Sequence, residues 1–260
     1  MIRITDELIE NNDPVTRWGE HLASAIQNEF RIDDKILQQE KDMHEYFLTV
    51  CKSYVVHAYC QSRPFNTKDI FKEEWYAYIK DMWTVSQRDN EYNPTHFHFH
   101  CDLSAVMYLK IPEYLPNRKS HRNDDGKIVF TNNTSQEKLW SYPTMDISPN
   151  VGDIFIFPAS QQHMVYPFRT SDGKGERRSV SFNANFSSKT EQDRLTNKMA
   201  SGEIYPYEEA QVNEFNNIPI PPHEKANIAS KLRYQDVDRT MFHDDLRKTK
   251  SQLPKVSIVK

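Results

Sequence analysis

The spacing of apolar residues changes twice along this chain. Near the start it is helical. Asp13-Pro14 sets an N-cap residue before a proline suited to the first helical turn, and Trp18, Leu22, Ile26 and Phe30 follow at steps of four. That pattern predicts one helix with a single apolar stripe. A second helix is expected from Asp33 or Asp34, with Ile36, Leu37, Met43, Phe47, Leu48, Cys51 and Val55 as its apolar positions and an end before Pro64. His44 and His57 fall on it with no partner ligand at helical spacing, and read as structural histidines.

From Glu74 the pattern turns to strands. Residues 75–79 and 82–85 are rich in aromatic and β-branched side chains, and 103–111 reads as a buried strand. Residues 90–94 make a turn, 112–125 a loop carrying the basic Arg118, Lys119 and Arg122, and 127–130 a short strand. A turn at 149–153 precedes the apolar run Ile154-Phe155-Ile156-Phe157, and another turn at 171–175 precedes 177–186. In that last stretch Arg177, Ser179, Ser181 and Asn183 alternate with Arg178, Val180, Phe182 and Ala184. Short strands between turn signals predict a sandwich or jelly roll.

After Ser188 the strand pattern ends. Residues 191–199 suggest a helix, Ile218-Pro219-Ile220-Pro221-Pro222 is extended, and 226–232 and 239–247 are short charged pieces. The expected organisation is an N-terminal helical segment over 1–72 packing on a β core over 73–188. A partly helical C-terminal extension covers 189–260, read as surface wrapping or as an arm through which copies of the chain assemble.

Length and charge narrow the function. The chain has 260 residues, with 33 basic and 37 acidic side chains and a formal net charge of -4. That balance gives no electrostatic case for nucleic-acid binding. No apolar run is long enough to span a membrane, and no secretory signal is seen. Cys51, Cys60 and Cys101 are odd in number and form no C-x-x-C, which favours a reduced, cytoplasmic setting.

The candidate chemistry begins with Asn93-Pro94-Thr95-His96-Phe97-His98-Phe99-His100-Cys101-Asp102. As a strand of period two, it would put His96, His98, His100 and Asp102 on one face and Phe97, Phe99 and Cys101 on the other. Histidines with a carboxylate suit non-haem Fe(II), Zn or Mn. His163, past the apolar strand, supplies a distant third ligand. Arg177 and Ser179 share a strand face, and an arginine fork binds a carboxylate through two parallel bonds.

Together these stretches resemble the Fe(II)/2-oxoglutarate-dependent oxygenase superfamily. They are most similar to the small group with the pattern N-x-x-H-x-H, then L-S-G-V-Y-Y-L, then P-x-x-G-D-x-x-x-F-P-x-x-x-x-H, then R-x-S-x-x-F-N. The matching residues are Asn93, His96 and His98; residues 103–109; Pro149, Gly152, Asp153, Phe157, Pro158 and His163; and Arg177, Ser179, Phe182 and Asn183. The resemblance covers roughly residues 75–186. It implies a mostly β fold with flanking helices, a double-stranded β-helix of jelly-roll or cupin-like type, with the metal between facing strands. It implies Fe(II), 2-oxoglutarate and O2 acting on a substrate that is a small molecule or a peptidyl side chain. It also implies His96, His98 and His163 as ligands, Arg177 and Ser179 on the far carboxylate of 2-oxoglutarate, and Tyr108 as a further donor to it.

Three departures mark this chain: Ala105 for the usual glycine, Met107 for the first tyrosine, and the inserted segment 171–176 before Arg177. The near ligands have two readings. Alignment on Leu103-Ser104 selects His96 and His98, leaving room for a turn before the next strand, whereas ligand chemistry favours His100 with Asp102. Two further function classes fit in part. A cupin-like metalloprotein of other chemistry leaves Arg177 and Ser179 unexplained, and a non-catalytic jelly-roll module leaves all the polar motif positions unexplained.

Overall fold

The structure, a computed structural model, describes residues 1–62, 73–116, 123–132, 143–203 and 256–258. By its internal contacts the chain divides into two units. The first comprises Met1–His44, Ile79–Ala184 and Pro254–Lys260, and the second Glu45–Tyr78 and Asn185–Leu253.

The first unit opens with helix α1 (Ile2–Asn11), ended by Asn12 in the left-handed conformation. The helix expected from Asp13 does not form. Asp13 does cap, accepting a hydrogen bond from the Val15 amide, but only one turn of 3-10 helix follows, with a second at Gly19–His21. Phe30 lies instead in strand β1 (Asn28–Arg31), paired antiparallel with residues 83–86. Its spacing of four from Ile26 is coincidental, because pairing with a long strand outweighs a helix of modest propensity. The second expected helix is two: α2 (Asp34–Gln39) and α3 (Lys41–Ser62), parted at Glu40 by non-helical backbone.

Strands follow in the order β2 (Trp75–Gln87), β3 (Asn93–His96), β4 (Leu103–Lys110), β5 (Ile128–Thr131), β6 (Thr144–Ile147), β7 (Ile154–Pro158), β8 (Gln162–Val165), β9 (Arg177–Ser188) and β10 (Val256–Ile258). They form a six-stranded sheet, β1-β2-β9-β4-β7-β10, and a four-stranded sheet, β3-β8-β5-β6. Between β2 and β9 the chain passes back and forth between the sheets, which is the topology of a double-stranded β-helix. β3 with β8, β4 with β7 and β9, and β5 with β6 and β8 pair antiparallel, whereas β10 lies parallel to β7. The motif strands thus hold a core of Val106, Tyr108, Ile128, Phe130, Phe155, Phe157 and Val165. Phe130 and Phe157 meet edge to face at 5.0 Å.

In the second unit, helix α4 (Lys189–Ser201) is capped by the Ser188 hydroxyl on the Glu191 amide and closed by left-handed Gly202. Trp75 packs against Tyr59 and Phe186. Arg118, Lys119 and Arg122, and the stretches 218–222, 226–232 and 239–247, lie outside the described residues.

Candidate metal centre and carboxylate pocket

β3 is the edge strand of the smaller sheet and carries Pro94, which lacks an N–H and suits an edge. Asn93 pairs with Val165 and His96 with His163, three residues along β3 against two along β8, so β3 is bulged. Without the bulge, Asn93 and His96 would face opposite ways. With it, both line the cavity between the sheets. Re-aiming a side chain in this way is a recurring use of bulges beside active sites.

The structure brings His96, His98 and His163 together, with one ligand atom from each lying within 4.8 Å of the other two. The ring centres of His96 and His163 are 4.2 Å apart, and His98 stands 5.3 Å from each. Nδ1 of His96 lies 2.7 Å from the Pro94 carbonyl and Nδ1 of His163 lies 3.0 Å from that of Gln161. A carbonyl only accepts, so each Nδ1 carries the proton and each Nε2 keeps a free lone pair for a metal. Burial pushes the His98 imidazole down to about 4 and His163 to about 3, and lowers His96, with charge on neighbouring rings acting the same way at His98 and His163. All three are therefore neutral at pH 7, the form that ligates.

His100 and Asp102 are not part of this cluster. β3 ends at His96, the His98 amide is held by the Ala159 carbonyl, and His100 adopts a left-handed conformation at φ 58°. One continuous strand face from 96 to 102 therefore does not exist, and both residues are exposed. Phe97 and Phe99 are not buried on an opposite face either. Their rings meet at a tilt, with centres 4.5 Å apart, and the two residues are 42% and 68% exposed beside the cavity.

The cavity encloses about 320 Å³, and its other end is cationic. Arg177 is only 2% exposed. Its Nη1 donates to Gln87 Oε1 at 2.9 Å, while Nε and Nη2 are buried with no hydrogen-bond partner. The guanidinium lies 4.6 Å from the ring centre of Tyr108, whose buried hydroxyl also has no partner. Burial pushes that phenol up to about 12, so it is a neutral donor. The Tyr114 hydroxyl is a third such group, raised by burial and close enough to the Arg177 charge to be lowered by it in part. Tyr114 reaches this position over left-handed Gly126, where a Cβ would stand 2.2 Å from the hydroxyl. Buried donors without acceptors are costly. Three in one place fit an anion with several acceptor atoms, as a carboxylate of 2-oxoglutarate would be.

Ser179 pairs with Tyr108 across β9 and β4 and lines the same cavity. Arg178 faces away from it, bonded to Asp6, Glu176 and Thr5. Gln87, which orients Arg177, and Tyr114 went unread in the sequence. Gln87 could have been found by continuing the alternation of β2 two places beyond Val85, while Tyr114 sits in a loop that carries no periodic signal.

Residues 81–183 match the family model described as "Putative 2OG-Fe(II) oxygenase". Comparison with curated proteins finds no match. Among solved structures, the chain is similar to an oxidoreductase of the 2OG-Fe(II) oxygenase family from Burkholderia pseudomallei (17% identity, 45% of this chain and 48% of that one, TM-score 0.32). It is also similar to a Pseudomonas putida prolyl-4-hydroxylase (19%, 41% and 53%, TM-score 0.27). A viral collagen prolyl hydroxylase from Paramecium Bursaria Chlorella virus-1, in complex with 2OG, is a third (12%, 70% and 89%, TM-score 0.35). The chain spans about half the length of the first two, and the fold assignment rests on strand order rather than on these likenesses. All four sequence motifs lie within the matched segment, and over residues 81–183 this chain is similar to the 2OG-Fe(II) oxygenases.

Proposed function

We propose that this chain is an Fe(II)- and 2-oxoglutarate-dependent oxygenase, a hydroxylase acting on a substrate bound in the cavity between the two sheets. His96, His98 and His163 hold the metal through Nε2. Arg177, Tyr108 and Ser179 hold the carboxylate of 2-oxoglutarate remote from it. Bound Fe(II) supplies the redox chemistry that couples O2 and decarboxylation of 2-oxoglutarate to substrate oxidation, leaving succinate and CO2. The protein orients the reactants and excludes water with Trp83, Val106 and Phe157.

The observation that carries this reading is the buried Arg177 with two unpartnered N–H donors in the same cavity as three convergent imidazoles. A cupin-like site of other chemistry explains three histidines but leaves that cation without a purpose. The test is anaerobic titration of Fe(II) and then 2-oxoglutarate, followed by admission of O2 and assay for succinate. One metal per chain, 2-oxoglutarate binding and succinate release support the reading. Metal binding with no 2-oxoglutarate binding rejects it.

A further inference from the structure

The cavity is polar at both ends, and the ends carry opposite charge. On β9, Arg177 and Asn183 both line it, six residues apart. At a rise of about 3.3 Å per residue this is ~20 Å. On β2, Gln87 sits at the Arg177 end and Asp81 at the other. Arg177 is the one Lys or Arg lining the cavity, and Asp81 the one Asp or Glu, among the described residues. The Asp81 carboxylate has no hydrogen bond or ion pair with any described residue, and Oδ1 of Asn183 is buried without a donor. Between the two ends stands Trp83, its indole 6.0 Å from the His98 ring, with Phe97 and Phe99 at the exposed edge.

This end presents acceptors and aromatic faces, and the cation at the far end has its own partner in the function proposed above. Aromatic faces and a carboxylate attract a cation, and an indole also covers an alkyl chain. We propose that the Asp81 end binds the cationic group of the substrate, an ammonium or guanidinium on an alkyl stem. The cation meets Asp81 and Asn183 Oδ1, while the stem runs along Trp83 past the histidines. This identifies a substrate class and rests on the oxygenase reading only for what happens to the stem.

The test is calorimetric titration of the anaerobic Fe(II)-loaded protein, with and without 2-oxoglutarate. The probes are N-acetyl-lysine methylamide, N-acetyl-arginine methylamide, the norleucine and glutamate analogues, and n-butylamine as a free amine. The lysine or arginine probe, or butylamine if the source is a free amine, is expected to bind at least about tenfold tighter than norleucine and glutamate. Asp81→Asn should remove that preference, and Asp81→Glu should keep most of it. Equal or tighter binding of norleucine or glutamate overturns the proposal, as does binding of no probe or an unchanged preference in Asp81→Asn. Loss of 2-oxoglutarate binding with the cation preference intact rejects the oxygenase reading instead and leaves this site standing.

Discussion

Arg177 and Arg178 are neighbours in one strand and have opposite surroundings. Arg177 makes one hydrogen bond and keeps two buried N–H groups free, while Arg178 is bonded to Asp6, Glu176 and Thr5. The alternation of β9 separates a binding cation from a structural one.

Arg177→Lys is expected to weaken 2-oxoglutarate binding and Arg177→Ala to weaken it further, with metal affinity kept. A lost charge-assisted bond costs roughly 1.5–3 kcal/mol, about ten- to a hundredfold in affinity. Arg178→Ala should leave binding by the folded protein near wild type but lower stability by roughly 1–3 kcal/mol, since Glu176 loses a charge-assisted bond and is left with Lys110 and Ser86. Calorimetry and denaturant unfolding separate the two. If Arg178→Ala loses affinity at full stability, the assignment of faces fails.

Metal binding should depend on His96, His98 and His163 and not on His100 or Asp102. Alanine at any of the first three is expected to lower Fe(II) affinity by more than about tenfold, since losing even an outer-shell partner of a ligand costs that much. His100→Ala and Asp102→Ala should bind as wild type. Anaerobic metal titration of the five variants reads this directly, and a dominant effect of Asp102→Ala would reject the three-histidine set.

Tyr108→Phe should act in opposite directions on stability and on binding. Its hydroxyl is buried without a partner in the ligand-free protein, so removing it is expected to leave unfolding free energy unchanged or raise it by about 1 kcal/mol. The same change should weaken 2-oxoglutarate binding several-fold. A drop in stability with unaltered affinity would show that the hydroxyl serves packing only.

Glu29 gives a pH signature. It is 1% exposed in β1, accepts from the Ser24 hydroxyl, and is pushed up to about 7, chiefly by burial. The folded state therefore holds a proton that the unfolded chain releases near pH 4.5. In that window the native state binds more protons, so stability falls as pH rises from about 4.5 to 7 and then levels. The full effect is on the order of 3 kcal/mol. Glu29→Gln should remove this part of the slope, as measured by urea unfolding at a series of pH values. Parallel slopes for the two proteins would contradict it.

Strands β2, β4, β5, β7 and β9 were legible because apolar runs or two-residue periodicity meet turn residues there, whereas the four-residue β6 and β8 are too short and too polar to show either signal. That Arg177 and Ser179 share a face followed from alternation alone. The start of the chain was not legible. Asp13-Pro14 is a true cap, but helix or strand over 17–30 was decided by β2, a partner distant in sequence. α1 carries Ile2, Ile4, Leu8 and Ile9 but has no capping side chain to mark its start, and the three residues of β10 are too few for a periodic signal. The histidine run failed for a different reason: β3 ends at His96 and left-handed His100 turns the chain, so no face runs on to Asp102, while the bulge between Asn93 and His96 sets which way His96 points. The bulge adds one residue to β3 and leaves no mark in composition.

The direct opposition of His96 and His163 has one more consequence. β3 is a four-residue edge strand, and hydrogen bonds to β8 alone hold it in its sheet. An ion gripped from both strands is then a clasp between them. Fraying of β3 opens the clasp, so the amides of β3 should exchange with solvent deuterium far sooner than those of β5 when the protein is stripped of metal. Loading couples the two events: at a thousand times its dissociation constant an ion adds about 4 kcal/mol to the folded state. A four-residue edge strand of the smaller sheet would become one of its firmest.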